Sequence, residues 1–505
     1  MDPSKSQFPV YDAAGAKAID AQAIALLGGS GESLMRSAAA AAARVVRGRF
    51  AGAQQIVVVA GSGNNGGDGY EVARLLQMAG RSVRIVGVSV RPPSGNAATM
   101  LAGALAAGVV LIEQPDGLIA DRLDDADLIV DALLGTGATG AATGAVAEAI
   151  TAICASGLAV VALDIPSGID ASTGEAPGAA VRADVTVSFG RSKLGLLVAP
   201  GCEFAGDVIV VPIGVPEQVE VAAAAIAVAD GRDLLPGRGV GGSKYDAGAL
   251  LVIGGSIGMA GAPALVAGAA LRVGAGVVTV LVPEAIQPTV AGSLREAMVR
   301  PLASSRVERQ IAEYAQRARA VVLGPGLGRE PGTDELVRAT LALDRPLLVD
   351  ADALWWVARE PALLRQRTAP TVITPHAGEA ANLLGVETDW IAEHRLATVR
   401  ALVETSGVVA LLKGRDTLVL SPEGRLGIRA LDSAALATAG SGDVLAGIIG
   451  ACLARGADSW TAAIAGAAAH VQAARTATAA RRGGAIIAGD LIEHLRVLGR
   501  PGSTL

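Results

Sequence analysis

Aromatic side chains are almost missing from this chain: Phe, Trp and Tyr together make up 2% of it. Bases cannot be stacked on so few rings, and a net charge of −6 supplies no basic field. Both absences exclude a dedicated nucleic-acid binder. Cysteine is scarce too. Cys154, Cys202 and Cys452 stand apart with no CxxC pair, which excludes a disulfide framework or structural zinc site and fits a reducing, cytoplasmic setting. The first residues carry Asp2, Lys5 and Asp12 and no apolar run, so no secretory signal is expected. Ala247–Leu271 is free of charge and long enough to span a bilayer. Its six glycines and Pro263 favour instead a buried strand, loop and helix, and no membrane association is expected.

What the chain has in quantity is aliphatic and small. Apolar residues are 51% of 505, ample for more than one core, built from Ala, Val, Leu and Ile. Helical patterns are read over Ala13–Leu27 and Leu34–Phe50. Short apolar strands alternate with helices at Ile56–Ala60, Val83–Val88, Leu128–Asp131, Ala159–Asp164 and Val185–Phe189. After a Gly-rich stretch at Asp230–Gly242 a second series begins: Leu250–Ile253, Val277–Val282, Val321–Leu323, Leu347–Asp350, Val372–Thr374 and Val409–Leu412. This pattern predicts two α/β domains with parallel sheets covered on both faces, residues 1–228 and 229–505.

In the first domain, Gly61-Ser-Gly63-Asn64-Asn65-Gly66-Gly67-Asp68-Gly69 lies between a strand and a helix read over Tyr70–Met78. Gly61, Gly63 and Gly66 satisfy the dinucleotide fingerprint, but the acid expected after the second strand is replaced by Ser89-Val90-Arg91. A Gly-rich turn without a chemical role fits the run as well. Asp131-Ala-Leu-Leu-Gly135-Thr136-Gly137 and Asp164-Ile-Pro166-Ser167-Gly168 also follow strands. A doubly wound sheet brings such strand ends to one crevice, where Asp68, Asp131 and Asp164 would meet Asn65 and Ser167. Oxygen donors of this kind suit a hard cation, while each Asp alone reads equally as a strand-end cap.

The runs GSGNNGGDGY, DALLGTG and LDIPSG resemble the NAD(P)H-hydrate epimerase domain of the YjeF N-terminal type over roughly residues 10–220. The resemblance implies a Rossmann-like three-layer fold and interconversion of the two epimers of the hydrated nicotinamide ring. It implies potassium on Asn65, Asp131 and Ser167. Substrate would lie against Asn64, Asn65, Gly66, Gly67, Asp68 and the run Gly135, Thr136, Gly137, Ala138, Thr139, Gly140, Ala141. Asp164 is the candidate acid/base, and Lys193 is either a second such group or a surface lysine. The family's Leu-Met-Glu-Asn-Ala-Gly helix reads Leu34-Met35-Arg36-Ser37-Ala38-Ala39 here.

In the second domain, Ala439-Gly440-Ser441-Gly442-Asp443 precedes an apolar helix, Val444–Ala454. Small residues there expose N–H groups to an anion, and Asp443 can accept a proton or merely cap the helix. Gly324-Pro-Gly326-Leu-Gly328, Asp350-Ala-Asp352 and Thr374-Pro375-His376-Ala-Gly378-Glu379 each follow a strand. Lys413-Gly414-Arg415-Asp416-Thr417 is a polar turn between strands that offers two cations to a phosphate.

The runs LLVIGGSIGMAGAPALVAGAALRVGAGVVTV, LGPGLG, VDADAL, TPHAGEAANLL, LLKGRDT and LATAGSGDVLAGII resemble the ribokinase-like ADP-dependent NAD(P)H-hydrate dehydratase over about residues 240–500. The resemblance implies nucleotide-driven loss of water, with Asp443 as base and Gly440–Gly442 as anion hole. It implies ADP or ATP on Lys413, Gly414, Arg415, Asp416, Thr417 and Gly442, substrate on Ala262, Gly326, His376 and Asp443, and magnesium. The usual His-Lys before the first strand is Ser243-Lys244. Hydrated NADH or NADPH and adenine nucleotide are the expected partners, in a homo-oligomer. A ribokinase-like small-molecule kinase explains only the second half, and a non-catalytic dinucleotide sensor leaves Asp164 and Asp443 without a purpose.

Overall fold

The computed structural model describes residues 6–29, 31–88, 91–113, 119–231, 234, 243–430, 434–496 and 498. Asp2, Lys5, Ser89, Val90 and most of the expected junction at 230–242 lie outside them. The chain divides into two compact units, one essentially Pro9–Ala225 and the other Ile226–Leu505 together with Pro3–Phe8.

The first unit is built on seven parallel strands in the spatial order Val110–Glu113, Ser82–Gly87, Gln55–Ala60, Leu128–Ala132, Ala159–Leu163, Val185–Phe189, Asp207–Val211. Strands are added outward from Gln55–Ala60 in one direction and then in the other. The loops after Gln55–Ala60 and Leu128–Ala132 therefore diverge and open a crevice at the strands' carboxyl ends. Alternation along the strands supplies two cores. Ile56, Val58, Leu128 and Val130 pack with helices Glu32–Arg49, Asn64–Met78 and Gly95–Ala106, while Val57, Val59 and Ile129 pack with helix Gly144–Ala155.

The second unit runs Met298–Leu302, Val277–Pro283, Ala249–Ile253, Ala320–Leu323, Leu347–Val349, Thr371–Ile373, Val409–Leu412, all parallel. It continues with antiparallel Asp416–Leu420 and Leu426–Ala430, beside which Ala225–Val228 lies parallel. Helices Gly261–Arg272, Ser441–Ala454 and Ser459–Ala480 cover one face in a single core with Val252, Val322, Leu348 and Leu411. These helices come very close. A Cβ on Gly447 would sit 2.3 Å from the Val266 carbonyl oxygen. Small residues thus do the work that aromatics do elsewhere, by letting backbones approach. The uncharged run Ala247–Leu271 is the expected strand, loop and helix, with the strand buried and the loop exposed at Ile257 and Met259, and among the described residues no helix is long and apolar enough to cross a membrane.

Most element boundaries shift by a residue or two from the sequence reading, and two larger shifts matter for the sites. The helix read over Tyr70–Met78 begins at Asn64, and the helix read over Val444–Ala454 begins at Ser441. Glycine propensity argues against a helix in NNGGDG and SGD, but tertiary packing overrides it: a Cβ on Gly66 would lie 1.8 Å from the Gly61 carbonyl oxygen.

Candidate active sites

Because helix Asn64–Met78 sits directly on the end of strand Gln55–Ala60, its first turn faces the crevice. Asn65 Nδ2 donates to the Leu134 carbonyl at 2.8 Å, while Asn65 Oδ1 is buried without a partner. Asp131, fully buried at its strand end, accepts from Ser167 Oγ at 2.6 Å, Ser167 N–H at 2.8 Å and Leu133 N–H at 3.2 Å. Leu134 N–H in turn donates to Ser167 Oγ at 2.9 Å. Asn65, Asp131 and Ser167 are therefore gathered around one short loop. Burial pushes Asp131 up to about 6 against the hydrogen bonds from Ser167 and Leu133. An orphaned amide oxygen beside a desolvated carboxylate is a donor set that a hard cation would satisfy.

Asp164 follows strand Ala159–Leu163 with φ of 66°, a conformation non-Gly residues adopt under constraint. Its Oδ1 takes an ion pair from Lys193 and a hydrogen bond from Phe189 N–H at 3.1 Å. Lys193 is no surface lysine: it is 3% exposed and also reaches Ser188 Oγ at 3.1 Å and the Phe189 carbonyl at 2.7 Å. Asp164, Lys193, Asn64, Asn65, Asp68 and the loop Gly135–Thr139 line a cleft of about 2010 Å³. Gly66, Gly67, Gly140 and Ala141 do not line it. The first two lie on the packed side of the helix, against Gly61 and Met35, and Ala141 stands beside Gly178.

Among the cleft residues that the sequence reading did not single out is a further acid. Asp20, on helix Ala13–Leu27, lines the same cleft from its exposed rim and is raised above the ordinary carboxyl range by desolvation and by Asp164. Its only sequence signal was being the one acid of a helix whose other polar residues are Lys17 and Gln22.

In the second unit, Asp350 ends strand Leu347–Val349 and receives Lys413 Nζ at 2.9 Å, while Glu379 stands 3.6 Å from the same nitrogen. Burial alone would depress Lys413, but Asp350 and Glu379 outweigh it and hold it above its ordinary value. Gly442 lies next to Lys413, since a Cβ there would come within 3.7 Å of Nζ. Asp443 occupies the first turn of its helix and does not cap it: the N-cap is Gly440, at φ of 80°, with no side-chain cap bond. Burial, with Asp350 and Asp352 against Lys413, pushes Asp443 up to about 6.

Gly326, at φ of 64°, touches Ala262, whose Cβ lies 2.9 Å from where a Gly326 Cβ would be. His376 is exposed and caps helix Ala377–Leu384 in a reciprocal capping box with Glu379. The polar turn divides. Gly414 and Arg415 are exposed, but Asp416 already belongs to the next strand and its carboxylate is buried against Arg395 at 2.9 Å, with Thr417 buried behind it. The sequence reading missed Arg395. It also missed His470, buried on helix Ser459–Ala480 with Nε2 unpartnered, which desolvation and the nearby Lys413 push down to about 4. No disulfide joins Cys154, Cys202 and Cys452 to one another.

Two families match the chain in the order of its units: YjeF-related protein N-terminus over residues 31–195, and NAD(P)H-hydrate dehydratase over residues 250–496. A bifunctional NAD(P)H-hydrate repair enzyme from Thermanaerovibrio acidaminovorans is 40% identical over 85% of this chain and 86% of its own. Its counterpart from Escherichia coli is 37% identical over 93% and 89%. A solved ADP/ATP-dependent NAD(P)H-hydrate dehydratase from Bacillus subtilis, co-crystallised with ATP and Mg2+, is 26% identical, covering 52% of this chain and 91% of its own at a TM-score of 0.45. With both halves matched in order and at this identity over most of the length, the chain belongs to the family of bifunctional NAD(P)H-hydrate repair enzymes.

Proposed function

We propose that the two activities of this family are divided between the units: the first epimerises hydrated NADH and NADPH, and the second dehydrates one epimer at the expense of an adenine nucleotide. The observation that carries the reading is that each unit presents a carboxyl group beside a buried or half-buried lysine at the carboxyl ends of its parallel strands: Asp164 with Lys193, and Asp443 with Lys413.

In the first unit Asp164 exchanges a proton with the ring hydroxyl, held in place by Lys193 and Phe189 N–H. Asn64, Asn65, Asp68 and the Gly135–Thr139 loop enclose the substrate. Asn65 Oδ1, Asp131 and Ser167 would hold potassium, which supplies positive charge beneath the substrate loop.

In the second unit Asp443 takes the proton of the ring hydroxyl as that oxygen attacks the terminal phosphoryl group of ADP or ATP. Departure of phosphate, with loss of a proton from the neighbouring ring carbon, restores the dihydronicotinamide. N–H groups of the Gly440–Gly442 turn face the phosphoryl oxygens. Lys413, Gly414, Arg415 and Gly442 lie on the nucleotide side; Asp416 and Thr417 contribute through backbone only, their side chains being turned inward. Ala262 and Gly326 form the substrate wall, with His376 at its edge. Magnesium neutralises charge on the nucleotide when bound. A cytoplasmic setting fits these substrates.

The test is recovery of dihydronicotinamide absorbance from hydrated NADH with ADP or ATP supplied. Full recovery from an epimer mixture is expected, and recovery without nucleotide contradicts the reading. Accumulation of a phosphorylated product favours a small-molecule kinase instead.

A further inference from the structure

We propose that epimerisation is carried out by two carboxyl groups of one cleft acting together, Asp164 as proton acceptor and Asp68 as proton donor, through transient opening of the hydrated ring. The inference rests on the epimerase reading of the first unit and adds to it the second group that the chemistry demands.

The hydrated ring carries its hydroxyl on the carbon bonded to the ring nitrogen. Inverting that carbon through ring opening takes one proton from the hydroxyl and gives one to the nitrogen. A single carboxylate cannot do both in one step, whereas a pair in opposite protonation states can.

The two aspartates differ in the required sense. Asp164 is the anionic half of an ion pair with Lys193 and also accepts from Phe189 N–H. Asp68 lines the same cleft, is 9% exposed, and makes no hydrogen bond or ion pair with another described residue. A desolvated carboxyl without a donor is far better off holding its own proton. The groups facing it are Asp164, Asp20 and Lys193. Burial, reinforced by the two carboxylates and opposed only by the lysine, raises Asp68 well above the usual carboxyl range. The helix that carries Asp68 is fixed by Gly66 against Gly61, so the acid is presented by a rigid element.

The step balances. Asp164 accepts the hydroxyl proton, the O–H electron pair becomes the second bond of a carbonyl, and the ring carbon–nitrogen bond breaks with its pair going to nitrogen. Asp68 gives that nitrogen a proton. Rotation about the adjacent carbon–carbon bond turns the other face of the aldehyde to the nitrogen. Reclosure returns each proton to its origin, so nothing is oxidised or reduced and no nucleotide is consumed.

The test is Asp68→Asn in the full chain, with epimer conversion followed by chiral chromatography and the ring hydroxyl labelled with heavy oxygen. Asn reproduces the size and neutrality of a protonated carboxyl but has no proton to transfer. Expected is a fall in epimerisation kcat of ~10²–10⁴-fold, with KM and the melting temperature of the first unit unchanged, partial activity in Asp68→Glu, and retention of the label in wild-type product. Wild-type kcat in Asp68→Asn overturns the proposal. So does a loss of activity that comes with a lowered melting temperature and is not relieved in Asp68→Glu, which marks a structural role. Replacement of the label by solvent oxygen at every turnover means the hydroxyl leaves the carbon, and overturns ring opening. If wild-type enzyme does not epimerise at all, the reading of the unit fails instead.

Discussion

The two units place a lysine beside an aspartate in different ways. In the first, Lys193 bonds the reactive carboxylate itself: Asp164 is its ion-pair partner. In the second, Lys413 is taken up by Asp350 and approached by Glu379, and Asp443 has no ion pair with any described residue. The consequence is visible in Asp443, which burial and two neighbouring carboxylates push up to about 6. A base close to the working pH is the better catalyst when it must take a proton from an alcohol as that alcohol attacks. A group that must stay an anion beside a protonated neighbour, as proposed for Asp164 and Asp68, is better paired directly. The lysine's choice of partner therefore sets which job its aspartate can do.

The sharpest way to break this comparison is to remove the unpaired base. Asp443→Asn should lower dehydration by ~10²–10⁴-fold and leave epimerisation at its wild-type rate, because the two groups belong to separate units. Near-normal dehydration by this variant, measured by absorbance recovery from the pure reactive epimer, would show that Asp443 is not the base.

Removing the directly paired cation comes next. Lys193→Met leaves Asp164 in a cleft with Asp68 and Asp20 and without its ion-pair partner. Epimerisation kcat should drop about 10²-fold, while dehydration of the reactive epimer is unchanged. An unchanged epimerisation rate would mean the ion pair is a packing feature.

A smaller effect distinguishes the sites without mutation. Asp443 acts when ionised, so dehydration kcat/KM should fall as pH drops through about 6, approaching tenfold per pH unit below it. Since the folded-state value is raised, the limb moves further up if Lys413, which opposes the shift, is neutralised. A flat profile between pH 5 and 7 would place the proton elsewhere.

Much of this was legible in the sequence, and what was not has physical causes. The strand ends carrying Asp131, Asp164 and Asp350 follow from apolar runs that stop at an acid, and helix Ala13–Leu27 was read to the residue. The helix starts at Asn64 and Ser441 were not legible, because Gly-rich runs argue locally for a loop: Gly66 is required by the Gly61 carbonyl against it, and Gly440 by its positive φ and the Leu265 side chain. Lys193 could not be distinguished from a surface lysine, since its burial is created by Ser188, Phe189 and Asp164 folding back around it. Asp416 read as part of a phosphate-facing turn, and nothing local shows that Arg395, far back in the chain, draws it inward. Contacts between distant residues decide such cases, and periodicity is blind to them.

The weakest expected effect concerns where the second unit begins. Composition put the break after residue 228, in the Gly-rich stretch, but Ile226 and Ala227 pair with Gly427 and Ile428 of strand Leu426–Ala430. Val228 is buried in the second unit's core, and Ala229 N–H donates to the Ser6 carbonyl at 2.9 Å. A fragment 229–505 therefore loses a strand, which would be the edge of a fragment 226–505, together with its core valine. Burying a Val side chain is worth ~1.5–3 kcal/mol, and the lost edge pairing adds little because water replaces it. For a unit of this size that amounts to a melting-temperature deficit of roughly 3–12 °C at ~2–4 °C per kcal/mol. Both fragments should still dehydrate a single epimer with nucleotide, and addition of fragment 1–225 should complete consumption of a mixture. Spontaneous epimerisation must be measured first, since it mimics the added fragment. Equal melting temperatures by calorimetry would show that Ile226–Val228 is a linker that merely lies along the sheet, and would return the boundary to the position that composition suggested.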